Sequence, residues 1–77
     1  MIHKLIKKFG GINSMARKIG ASPSAVNFWD KRNKIPRWWY LTISETAKKY
    51  KIDVSEFSFL KINNFYGIEE RDNINNE

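Results

Sequence analysis

Residues 12–32 read INSMARKIGASPSAVNFWDKR, and this stretch predicts two short helices joined by a tight turn. From Ile12 to Ile19, the apolar Met15, Ala16 and Ile19 fall on one helical face. Gly20 follows, where a helix end calls for a residue tolerant of the left-handed conformation. The start signals of a second helix come next. Ser22 is a good acceptor for unpaired N–H groups, and Pro23 suits the first helical position, where a missing N–H costs nothing. From Pro23 to about Arg32 this helix carries Ala25, Val26 and Trp29 at the i, i+1, i+4 spacing of a buried stripe.

The longer run FGGINSMARKIGASPSAVNFWDKRNKIP, residues 9–36, resembles a known family. Ala16, Gly20, Val26 and Trp29 stand as in the helix-turn-helix of the lambda repressor/Cro-like superfamily. More closely, the run is similar to the small YdaS-like regulators of phage and prophage. Their core reads GG-x-x-x-(I/L/M)-A-(R/K)-x-(L/I)-G, then a recognition helix ending in Trp, then a basic loop and Ile/Val-Pro. The resemblance covers roughly residues 9–52. It implies an all-α, four- to five-helix bundle with a helix-turn-helix, in which residues 22–32 enter the DNA major groove. Ala16 has a mechanical reason to be small, since the two helices cross closely there.

Composition narrows the alternatives. At 77 residues the chain is one small domain, of a size that buries only about 60% of its unfolded surface. It has no cysteine and a single histidine, His3, so disulfides and thiolate metal sites are excluded and no cofactor or metal is expected. No apolar run approaches the roughly 20 residues of a membrane span, and Met1-Ile2-His3-Lys4 does not open a signal peptide. A cytoplasmic protein with no membrane partner is the expectation. Charge is uneven: residues 1–51 carry a net +10 and residues 52–77 a net −4, within a total of +6. A basic body suits a polyanionic partner, double-stranded DNA first among them. The alternative is a solvated, lysine-rich surface.

The first helix is expected over Ile2–Phe9, where Ile2, Leu5, Ile6 and Phe9 share a face and Lys4, Lys7 and Lys8 point outward. Gly10-Gly11 ends it, and Gly11 and Asn13 are equal candidates to cap the next helix. The family's geometry turns the N-terminus of that next helix toward the DNA backbone, where N–H groups and the helix dipole attract phosphate. Asn13 and Arg17 are therefore phosphate-contact candidates. On the following helix, Ser22, Ser24, Asn27, Phe28 and Lys31 face outward and are the base-contact candidates. Asn27 has the chemistry to pair bidentately with adenine, and Phe28 to touch thymine methyls. The alternative for Phe28 is packing against Trp38 or Trp39. Asp30 would repel phosphate and is expected to pair with Arg17 or Lys34. The loop from Lys31 to Arg37 holds four cations, of which Arg32, Lys34 and Arg37 are further phosphate candidates.

A fourth helix is expected over Pro36–Tyr50, with Trp39, Ile43, Ala47 and Tyr50 in one line and Trp38 and Leu41 beside it. Base stacking by an exposed Trp would require a groove or a sheet platform, which a helical chain is expected to lack. Asp53-Val54-Ser55-Glu56 fits a capping box for a last short helix that turns Phe57 and Leu60 to the body. The domain is thus expected to span 1–60. The remainder, 61–77, is read as a tail whose Phe65, Tyr66 and Ile68 are dimer-contact candidates, disordered from about Glu69. The leading reading is a dimeric, sequence-specific, double-stranded DNA-binding regulator of Cro- or antitoxin-like type. The alternative is a helix-turn-helix module that binds a protein partner. RNA lies between them. An enzyme is the weakest reading, because no nucleophile–base set and no phosphate-cradling loop is present.

Overall fold

The computed structural model describes residues 1–60, and over these the chain is helical. Its elements are α1 (Ile2–Lys8), α2 (Ile12–Ile19), α3 (Pro23–Arg32), a 3-10 turn at Arg37–Trp39, and α4 (Tyr40–Lys49). Their inner faces meet in one core. α1 supplies Ile2, Leu5 and Ile6, and Phe9 follows at its end; α2 supplies Met15, Ala16 and Ile19; α3 supplies Val26 and Trp29; α4 supplies Ile43 and Ala47. Ile35, Phe57 and Leu60 close it from the connecting segments. Among the described residues no polar or charged side chain is buried. Burying each large apolar side chain stabilises by roughly 1.5–3 kcal/mol, so this core holds the helices together.

The α2–α3 pairing follows the local sequence signals. Gly20 takes φ +82°, the left-handed conformation, and its N–H donates to the Ala16 carbonyl to finish α2. Ser22 Oγ accepts the Ala25 N–H at 3.1 Å, and Pro23 opens α3. Ala16 is only 1% exposed, consistent with the small side chain that a close helix crossing needs. α2 itself starts from Gly11, with no side-chain cap, and Asn13 lies exposed in its first turn.

Four details depart from expectation. The fourth helix does not run unbroken from Pro36 to Tyr50. Pro36 is extended at ψ 139°, a 3-10 turn follows, and the regular helix begins at Tyr40. The tighter turn is the one in which Trp39 meets Trp29, ring centroids 5.4 Å apart. Tyr50 lies beyond the last helical turn, is 46% exposed, and faces the Lys18 and Lys49 ammonium groups rather than the core. Residues 53–57 form turns, not a capped helix, and a 3-10 turn occupies 58–60. Asp53 Oδ1 accepts the Ser55 N–H at 2.9 Å, a local Asx turn that competes with helix initiation. Glu56 does not reach back to Asp53; it pairs with Lys4 at 2.9 Å and Lys8 at 3.4 Å on α1. Phe57 and Leu60 are nevertheless buried, as their apolar spacing predicts. Lastly, Asp30 meets neither Arg17 nor Lys34 but His3 Nδ1, at 3.4 Å. The start of α1 lies against the end of α3, which brings His3 within reach.

Candidate functional site

α3 presents a continuous outer face. Ser24, Asn27, Phe28 and Lys31 recur at i, i+3, i+4 and i+7, which stacks them along one side of a helix. Ser24, Phe28 and Lys31 are exposed and Asn27 is half-buried. Opposite them, Val26 and Trp29 are buried and hold that face at a set orientation to the body. Ser22 is exposed too, but its hydroxyl oxygen already accepts the Ala25 N–H as the cap of α3. Its O–H and one oxygen lone pair remain for a ligand.

Beyond this face the chain turns back on itself. Asn33 adopts φ +55° at the C-cap of α3, a conformation that Asn tolerates better than most residues. Its side-chain Oδ1 accepts the Ile2 N–H at 3.0 Å, so one residue closes α3 and caps α1. The return path brings residues 34–39 up beside Phe28. A concavity of about 260 Å³ results, lined by Phe28, Trp29, Arg32, Lys34, Pro36 and Trp38. The Arg32 guanidinium lies 5.1 Å from the centroid of the Phe28 ring, within cation–π range. Trp38 is 79% exposed and Phe28 54%, so neither is a core residue. Phe28 shares this concavity with Trp38 rather than being buried against it or against Trp39.

Asn13 and Arg17 are exposed on α2, a turn apart on one side. They do not line the concavity. Lys18 next to Arg17 is committed to structure. Its Nζ donates to the Phe9 carbonyl at 3.2 Å and to Ser14 Oγ at 2.8 Å, and lies 5.2 Å from the Tyr50 ring centroid. The phosphate candidates therefore form two groups, Asn13 with Arg17 on α2, and Arg32 with Lys34 around the concavity. Arg37 is exposed in the 3-10 turn.

Three of the described carboxylates, those of Asp30, Asp53 and Glu56, are engaged elsewhere. Asp30 pairs with His3, and Glu56 with Lys4 and Lys8. The Lys4 hydrogen bond, with a smaller contribution from Lys8, holds the Glu56 carboxyl below its ordinary pKa. The Ser55 backbone N–H does the same for Asp53. None of these three carboxylates is paired with Arg17, Arg32 or Lys34.

Three lining residues, Trp29, Pro36 and Trp38, are absent from the site expected from the sequence, which placed Trp29 in the core. The clue to Pro36 and Trp38 lay in the surplus of apolar residues in 36–50, more than one helical stripe can absorb. Phe65, Tyr66 and Ile68 lie outside the described residues. Among the described residues, no helix is long and apolar enough to cross a membrane. No protein-family model matches the chain, and comparison with curated proteins and with solved structures returns no match.

Proposed function

We propose that this protein is a sequence-specific, double-stranded DNA-binding regulator of the helix-turn-helix type, similar to Cro-like and YdaS-like repressors, that places α3 in the major groove. The observation that carries this reading is the outer face of α3. Ser24, Asn27, Phe28 and Lys31 are turned away from the core on a helix whose other side is locked by Val26 and Trp29. An α-helix fits the major groove, and its outward side chains reach base edges there. In this reading Asn27 pairs with adenine and Phe28 contacts thymine methyls, while Asn13, Arg17, Arg32, Lys34 and Arg37 hold the backbone on either side. The face is short of long polar side chains, so discrimination leans on methyl contacts and DNA shape.

Selection of binding sites from random duplex DNA at physiological salt tests the reading. An enriched motif is expected, and a palindromic one would identify a two-fold dimer. Asn27→Ala is expected to relax preference at one base position, costing about 1–3 kcal/mol on the preferred site. Arg32→Ala is expected to weaken preferred and random duplexes alike. If both variants lose affinity equally on every sequence, the division of labour on α3 is wrong. If no motif is enriched at all, a protein-binding module with non-specific nucleic-acid affinity replaces the proposal.

A further inference from the structure

The concavity at the end of α3 shares Phe28, Arg32 and Lys34 with the proposed duplex face and adds Trp29, Pro36 and Trp38, which duplex reading does not use. Its floor includes Trp29, its walls include the exposed Phe28 and Trp38, and its polar groups are the side chains of Arg32 and Lys34. No carboxylate lines it. Cavities that hold drug-sized molecules run about 300–1,000 Å³. At about 260 Å³ this one suits a single flat ring system. Its cations favour an anion attached to that ring.

We infer that this concavity binds one unpaired nucleobase of a single-stranded DNA segment, stacked on Trp38 or Phe28, with the adjoining phosphate held by Arg32 and Lys34. Every base offers a π-face, so stacking on exposed aromatic side chains tolerates any sequence, and neighbouring cations follow the backbone. A planar guanidinium near an aromatic ring adds a second stacking surface beside a phosphate-binding group. A helical protein without a β-sheet platform needs some other groove for this task. Here the return of residues 34–39 beside α3 builds one. The site overlaps the proposed duplex face at Phe28, Arg32 and Lys34, and it is distinguished by Trp38, which belongs to the 3-10 turn and not to the outer face of α3.

The test compares two single strands on the full chain at one fixed salt concentration. One is a fluorescein-labelled ten-nucleotide thymidine strand; the other is an abasic strand of the same length and charge. The base-bearing strand is expected to bind roughly 5- to 100-fold more tightly, the range that stacking of one base supplies. Trp38→Ala is expected to remove most of that preference and Trp38→Phe to keep it. Trp38 is 79% exposed, so folding survives either change, and near-ultraviolet circular dichroism of the remaining tryptophans checks this. Phe28→Ala is expected to reduce the same preference. Equal affinity for the two strands overturns the proposal, as does a preference that Trp38→Ala leaves intact. Neither result depends on whether duplex DNA is bound.

Discussion

Asn33 illustrates how one side chain links parts of the chain distant in sequence. Its φ of +55° ends α3, and its Oδ1 accepts the Ile2 N–H that opens α1. Asn33→Ala loses both functions and is expected to cost about 1–2 kcal/mol. Asn33→Gly keeps the backbone freedom and loses only the cap, so its urea midpoint is expected to lie between wild type and Asn33→Ala. Gly10 is a second such position. It adopts φ +96°, and an added Cβ would lie 2.8 Å from Ser14 Oγ, the hydroxyl that donates to the Phe9 carbonyl. Gly10→Ala is expected to destabilise by roughly 1–3 kcal/mol, measured by thermal unfolding. A midpoint unchanged from wild type would show that the α1–α2 corner relaxes.

Adjacent residues of α3 have opposite fates. Trp29 is 4% exposed and Phe28 54%. Trp29→Ala is expected to cost about 3–5 kcal/mol, enough to unfold so small a domain, whereas Phe28→Ala is expected to stay within about 0.5 kcal/mol of wild type. Denaturant midpoints of the two variants check the contrast. α1 depends on its neighbours in another way, since Lys4 and Lys8 pair with Glu56. The Glu56 pKa is depressed in the folded protein. Its contribution is therefore present above the ordinary carboxylate pKa and is lost as pH falls through the lowered folded value. Melting temperature is expected to fall on acidification through that window, and less steeply in Glu56→Gln. Parallel profiles for the two proteins would remove Glu56 from the account.

For the molecule as a whole, the proposed DNA complex makes a quantitative claim about salt. Arg17, Arg32, Lys34 and Arg37 contacting four phosphates would give a slope of about −3.6 in log affinity against log salt, at roughly 0.9 per phosphate. Replacing any one of them by alanine is expected to reduce the slope by about 0.9. Fluorescence anisotropy of a labelled duplex over a salt series measures this. A slope near zero would leave the basic surface without a phosphate partner.

Much of the architecture is legible in the chain because its signals are local. Helical periodicity places Ile2, Leu5, Ile6, Met15, Ala16, Ile19, Val26 and Trp29 inside, and all are buried. Gly20, Ser22 and Pro23 mark the ends of α2 and α3 by backbone freedom and capping, which act over a few residues. The outward position of the α3 candidates follows from the same periodicity. What the sequence left open depends on which distant residues meet. Asp30 finds His3, Glu56 finds α1, and Asn33 caps Ile2, since folding juxtaposes helix ends that no local spacing encodes. The same holds for the concavity: only the turn at Asn33 and the return through Pro36 set Trp38 beside Phe28 and Arg32.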